Sequence, residues 1–231
     1  MADPTALFSE NGIELTVAQI AQLTAYIRLL DAENARQNLT AVRDEDEIWV
    51  RHILDAAFLL RYLPRGEARL IDIGTGGGIP GIPLAILRPD LQVTLLDSEL
   101  RKIEFCADTI KTLHLDAKAV CGRAEELAHK DAFRGRFDIA VSRAMASGSM
   151  LCELAIPMLK MGGTLFAMKG RSYDPAAERF GEACAALEGV VISDESYTLC
   201  GEQKHIIICR KSGETPAQFP RRFAKIKRSP L

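Results

Sequence analysis

Apolar positions in the first quarter of the chain recur every three or four residues. Over residues 16–33 they fall at Ile20, Leu23, Ile27 and Leu30, the spacing of one face of an amphipathic helix. The stretch Asn38-Leu-Thr-Ala-Val-Arg43 reads as a loop. Asp44, with Glu47 three residues on, has the form of a capping box and predicts a second helix to about Leu63. Its inner face would hold Ile48, Ile53, Ala56, Leu60 and Leu63, with Trp49 and Phe58 as further core, before Pro64 and Gly66 end it. Beyond that point the period changes. Short apolar runs at 69–73, 92–96, 117–121, 137–142 and 164–168 predict strands. Between them, a segment from Pro80 and the stretches 101–113, 150–159 and 174–187 predict helices. Pro80 suits a first helical turn, where its missing N–H leaves no bond unmade. Gly162 and Gly163 would stop the helix ahead of the fifth strand. Three late β-segments, 190–193, 197–199 and 205–210, follow one another with links too short for crossovers, so an antiparallel hairpin closes the sheet. The pattern predicts an α/β core at 67–211, an N-terminal helical segment at 1–66 packed on it, and a tail at 212–231.

Composition narrows the class. The 231 residues are 48% hydrophobic and 26% charged, as in ordinary globular proteins. No apolar run approaches the roughly 20 residues of a membrane span. Residues 1–12 include Asp3 and Glu10 and lack the basic-then-apolar pattern of a secretory signal, which favours the cytoplasm. The six cysteines are scattered without a C-x-x-C pair, and the four histidines form no H-E-x-x-H. Reduced thiols and no metal site are expected. Charge changes the picture more. Residues 210–231 carry seven basic residues against Glu214, a net +6, so the remainder carries −8. Such asymmetry suggests an electrostatic contact made by one end of the chain.

Residues 70–81 are the most informative stretch. An apolar strand ends in Asp72, Gly74, Thr75, Gly76, Gly77 and Gly78, and a helix-like segment follows Gly81. Such a turn lets a ligand approach bare backbone at a helix N-terminus. Two frames fit. Gly76, Gly78 and Gly81 match the dinucleotide pattern G-x-G-x-x-G, while Asp72, Gly74, Gly76 and Gly78 match the D-x-G-x-G-x-G loop of S-adenosylmethionine (SAM) methyltransferases. Asp97, closing the second strand, serves a ribose diol in either frame. Asp72 favours SAM, because nicotinamide-binding strands usually stay apolar there. So do the 159–165 segment, which resembles the L-x-P-G-G-x-L turn, and the terminal hairpin.

Further motifs occur in order: Asn38-Leu-Thr, His52-Ile-Leu-Asp55, the glycine loop through Pro83, Leu96-Asp-Ser98, Gly122-Arg-Ala-Glu125, Ser142-Arg-Ala144, Lys169-Gly170 and Pro220-Arg-Arg222. From about Leu15 to Leu231 this set resembles the ribosomal RNA small subunit methyltransferase G family, also called glucose-inhibited division protein B. The resemblance implies a seven-stranded, Rossmann-like SAM-dependent methyltransferase sheet with an antiparallel last strand. It implies methylation of guanine N7 in the 530 loop of bacterial 16S rRNA, with the small ribosomal subunit as partner and a monomeric enzyme. It places cofactor contacts on Gly74, Ile79, Ala124, Glu125 and Arg143, to which the loop chemistry adds Gly76, Gly78 and Asp97.

The implied reaction needs no general base. Guanine N7 carries a free lone pair in the neutral base, so the task is alignment. No catalytic residue is assigned. His52 and Asp55, one helical turn apart, are candidates for a pair facing the site, though a structural histidine reads equally well. RNA phosphates would be held by Arg143, Lys169 and Arg171 after the fourth and fifth strands, and by Arg221, Arg222, Lys225 and Lys227 of the tail. Two other classes are open: a nicotinamide-dependent oxidoreductase, and a non-catalytic RNA-binding assembly factor.

Overall fold

Thr16 caps the long N-terminal helix: its hydroxyl accepts from the Gln19 amide while the Gln19 side chain accepts from the Thr16 amide. That helix, α2 (Val17–Gln37), follows a short α1 (Pro4–Ser9) in the computed structural model, which describes residues 4–231. Residues 1–3, with Asp3 of the expected non-secretory start, lie outside the described residues. α2 buries Leu23, Ile27 and Leu30 as its period predicts, and Tyr26 and Asn34 besides.

Asp44 does accept from the Glu47 amide. The helix it opens is not uniform. A turn of α-helix, α3 (Glu45–Ile48), widens into a π-helical stretch at Trp49–Leu54, returns as α4 (Asp55–Ala57) and tightens to a 3₁₀ turn at Phe58–Arg61. Ile48, Trp49, Ile53, Ala56, Phe58 and Leu63 are buried and Leu60 is half-buried.

The sheet then forms in the order β3-β2-β1-β4-β5-β7-β6. Its strands are β1 (Ala68–Ile73), β2 (Leu91–Asp97), β3 (Ala117–Cys121), β4 (Phe137–Arg143), β5 (Leu159–Lys169), β6 (Gly189–Leu199) and β7 (Glu202–Lys211). The first five are parallel, and β7 runs antiparallel between β5 and β6. The connecting helices are α5 (Gly81–Leu87), α6 (Leu100–Leu113), α7 (Ala124–Leu127), α8 (Gly148–Ala155), α9 (Pro175–Glu178) and α10 (Phe180–Ala186), and α11 (Phe223–Arg228) closes the chain. One apolar cluster joins the N-terminal helices, α5 and α6 to one face of the sheet; a second lies under α8 and α10 on the other.

Four expectations need correction. Pro80 stands one residue ahead of α5 rather than inside it. The helix expected at 150–159 ends earlier, and Gly162 and Gly163 lie inside β5. There Gly162 takes φ +78°, and a Cβ on Gly163 would come within 3.2 Å of three backbone oxygens of Phe137, Asp138 and Lys160. Glycine thus lets β5 pass the register shift between Phe137 and Ile139 of β4. The helix expected at 174–187 is broken at Arg179, which adopts φ +53°. The three late β-segments are two long strands, β6 bulging between Val191 and Ser193.

The tail is not a free solvated end. Phe219 and Ile226 are buried, Arg134 donates to the carbonyls of Phe219 and Thr215 (both 2.8 Å), and His129 Nε2 donates to that of Pro220 (2.8 Å). Apolar side chains interleaved with the basic ones decide this, since charge counting alone reads the segment as solvated.

Candidate active site

Strand order reverses between β1 and β4, and open α/β sheets bind ligands past the carboxyl ends of their strands at such a point. A cleft of about 340 Å³ opens there, lined by Gly74 and Gly76 after β1, Asp97 at the end of β2, Ala124 and Glu125 after β3, and Ala144 and Met145 after β4.

The glycine loop is held from beneath. Asp72, fully buried, accepts from the Thr75 hydroxyl (2.6 Å) and the Gly81 amide (2.9 Å), both on Oδ2. Its Oδ1 has no partner, and burial raises its pKa to about 6 against the favourable pull of those two bonds. Tyr26 of α2 donates to the Gly77 carbonyl (2.7 Å), so the N-terminal helices position the loop. The glycines differ in role. Gly76 has φ +56° and a Cβ there would meet nothing within 4 Å, so its open face is the cleft itself. A Cβ on Gly74 would strike Met145, one on Gly78 would strike Ile82, and one on Gly81 would strike Leu95 and Asp72. Those three serve packing and turn geometry. Asp97 accepts from the Gly76 amide (3.0 Å, Oδ2) and the Glu99 amide (3.0 Å, Oδ1), which fixes the carboxylate at the mouth of the cleft. Glu125, buried, pairs with Arg123 at 2.5 Å.

Five of the eight expected cofactor residues therefore line this cleft: Gly74, Gly76, Asp97, Ala124 and Glu125. Gly78 and Ile79 are not among its lining residues; Gly78 packs against Ile82 and Ile79 belongs to the apolar core. Arg143 faces elsewhere, into a second cleft of about 590 Å³ that shares Ala144 and Met145 with the first. The second cleft is lined by Asp55, Arg143, Lys169, Glu178, Tyr197 and Lys204 among others.

The π-helical turn explains why Arg143 points there. His52 within it is buried and Asp55 just past it lines the second cleft, and the two share Arg143 rather than bonding each other. Arg143 Nη1 donates to Asp55 Oδ2 (3.1 Å) and the guanidinium also faces His52 Nδ1 (3.2 Å). Arg143 has only donors, so Nδ1 accepts and Nε2 bears the proton toward Thr40 Oγ1 (2.6 Å). Burial, and secondarily Arg143, lower the His52 pKa to about 4, so the ring is neutral. Tyr197 donates to Asp55 Oδ1 (2.8 Å) and stacks on Phe58 at 4.5 Å. Sequence reasoning missed Tyr197 and Lys204 because β6 and β7 deliver them from the far end of the chain.

The other expected RNA contacts divide. Lys169 is engaged internally, donating to the Ala146 carbonyl (2.7 Å) and Glu178 (2.8 Å). Arg221 is turned inward onto fully buried Glu153. Arg171, 80% exposed, and Arg222, Lys225 and Lys227 face solvent. Three of the six cysteines converge: Cys152, Cys184 and Cys209 bring their sulfurs within 4.8 Å of one another inside the apolar cluster beneath α8, away from both clefts. Sequence spacing gave no sign of this, because the three stand on different elements.

Comparison with known proteins separates fold from chemistry. The cyclase SpnF superposes with a TM-score of 0.58 at 15% identity, covering 85% of this chain and 96% of its own. TrmN from Thermus thermophilus superposes with a TM-score of 0.54 at 16% identity, covering 71% of this chain and 53% of its own. Likeness at that identity establishes the fold alone. Sequence goes further. The Ribosomal RNA small subunit methyltransferase G of Streptococcus pyogenes serotype M12 (strain MGAS2096) is 38% identical over 226 residues, which is 96% of this chain and 95% of that protein. The family model GidB, rRNA small subunit methyltransferase G, matches residues 19–207, from α2 through the glycine loop and the second cleft into β7. With the loop, the acid closing β2 and the second cleft all inside the matched span, this chain belongs to the rRNA small subunit methyltransferase G family.

Proposed function

We propose that this enzyme transfers the methyl group of SAM to N7 of a guanine in the 530 loop of bacterial 16S rRNA, acting in the cytoplasm as a monomer on the small ribosomal subunit. The observation that carries the reading is the meeting of two clefts at Met145: one floored by the glycine loop and Asp97, the other lined by Arg143, Lys169, Lys204 and Tyr197. The residues of the first suit SAM. Gly76 leaves the space that any side chain would fill, and Asp97 stands fixed where ribose hydroxyls can donate to it. SAM supplies a methyl group on a sulfonium, a leaving group that needs no protonation.

The chain's own residues then have two tasks. Met145 and Ala144 bring the two ligands together at the shared wall, which supplies the orientation such a displacement requires. Asp55 and Glu178 hold Arg143 and Lys169 in fixed positions along the second cleft, so its polar wall is set before the base arrives. Neutral His52 orients Arg143 and is not needed as a base. Of the expected RNA contacts, Arg171, Arg222, Lys225 and Lys227 face solvent and are available to phosphates, while Arg143, Lys169 and Arg221 are held in internal pairs.

Incubation with methyl-labelled SAM and small subunits lacking the modification, with naked 16S rRNA in parallel, tests the reading. Label is expected on one guanine of the 530 loop, with the chain scission at that base that 7-methylguanine permits. Label on another base, or none on either substrate, overturns it.

A further inference from the structure

The C-terminal segment has a role beyond its charge. Past β7 the chain turns back across the second apolar cluster and is fixed at successive points. Thr215 Oγ1 donates to the Leu187 carbonyl (3.1 Å), and Arg134 and His129 hold the carbonyls at 215, 219 and 220. The firmest point is Arg221. Its backbone amide (2.8 Å) and Nε (2.7 Å) donate to Glu153 Oε1, and Nη2 donates to Oε2 (2.6 Å). Glu153 lies on α8, one residue before Leu154, which lines the first cleft. Fully buried Ile226 anchors the helix beyond.

These contacts set Phe223 on the rim of the first cleft. Its ring carries the Arg123 guanidinium at 4.8 Å, and Arg123 is bonded in turn to Glu125. Phe223 therefore stands beside Arg123, past β3, in the same cleft that Ala124, Glu125, Asp97 and the glycine loop line. It is the one aromatic side chain lining this cleft among the described residues. A purine base is flat, polarisable and sparing in hydrogen-bonding groups, so an aromatic wall suits it.

We propose that Phe223 is the aromatic wall of the adenine end of the cofactor cleft, set in place by the Arg221–Glu153 pair. The C-terminal segment is thus part of the cofactor site, and Arg221 is a positioning residue for it. The inference rests on the reading that the first cleft takes SAM.

Calorimetric titration with S-adenosylhomocysteine tests both, and separates them. Failure of the unaltered protein to bind would sink the SAM reading itself. Given binding, Phe223→Ala should weaken affinity about tenfold, within the range of base–aromatic stacking, while Phe223→Trp keeps it and Phe223→Leu falls between. The half-buried ring makes Phe223→Ala tolerable to the fold, with a melting temperature close to that of the unaltered protein. In Phe223→Trp the indole should change its emission on ligand binding, whereas the native Trp49 is buried away from the cleft. Arg221→Met should lose affinity by a similar factor, and the double variant Arg221→Met/Phe223→Ala should lose no more than Phe223→Ala alone. Unchanged affinity in Phe223→Ala, or losses in the double variant that multiply, would overturn the proposal.

Discussion

At the residue scale, Gly76 shows how backbone and ligand compete for one space. Its φ of +56° disfavours any side chain, and the missing Cβ faces the open cleft. Gly76→Val should cost about 1–3 kcal/mol of stability through strain and remove measurable SAM binding, while the far-ultraviolet spectrum keeps its α/β form. Normal calorimetric affinity for that variant would mean that the loop does not cradle the cofactor. His52 gives a second test at this scale. Its folded pKa of about 4 lies below the ordinary 6.5, so the unfolded chain binds a proton that the folded chain refuses. Its contribution is present above pH about 6.5 and is lost as pH falls toward 4. Asp72 has the opposite sign: its folded pKa of about 6 exceeds the ordinary 3.8, so its contribution grows as pH falls through 6 toward 4. Urea unfolding at pH 7 and pH 5 should therefore show His52→Gln gaining stability relative to the unaltered protein at the lower pH. A constant difference between the two proteins would refute the assignment.

Individual elements show why charge alone misleads about the tail. Arg221 reads in sequence as one more phosphate contact, yet it neutralises a glutamate with no solvent exposure. Removing one partner of a buried pair strands the other, so Arg221→Ala should cost about 3–5 kcal/mol in chemical denaturation. Replacing both partners by leucine should cost far less. Equal losses for the single and double variants would argue against the pair. For the same reason, deleting residues 219–231 should lower the melting temperature sharply, where an inert basic end would leave it unchanged. The π-helical turn makes a parallel point. Its apolar periodicity marks 45–61 as helix, but the widened turn, which delivers His52 and Asp55 to Arg143, leaves no mark in the pattern.

On the scale of the whole molecule, two faces of the sheet carry different duties. The N-terminal helices cover one face and brace the glycine loop through Tyr26. The tail covers part of the other and leaves Arg222, Lys225 and Lys227 exposed on either side of Phe223, which lines the first cleft. If those three contact phosphate, replacing them by glutamine flattens the dependence of log K on log salt by about 0.7 per contact for single-stranded or loop RNA, or about 2 in all. Filter binding of 16S rRNA from low to moderate salt checks this. An unchanged slope would assign the RNA contact to other cations, with Arg171 and Lys204 next in line.

The sequence by itself determined the α/β class, the strand series, the antiparallel closure and the cofactor frame. Each is written locally: strands and helices differ in apolar period, and Asp72, Gly74, Gly76 and Gly78 must be contiguous to make one turn. Asp97 was legible for the same reason, since it closes a strand whose position follows from the period. The second cleft was legible only in part: Asp55, Arg143 and Lys169 stood out in the sequence, but Tyr197 and Lys204 did not, because the five come from separate elements and meet only when the sheet is assembled. The inward turn of Arg221 was not legible. A cation's partner depends on what lies across the fold, and Glu153 stands 68 residues away in the chain. Local pattern specifies elements and single-loop sites; sites built from distant elements, and the choice between a solvated charge and a buried pair, belong to the tertiary structure.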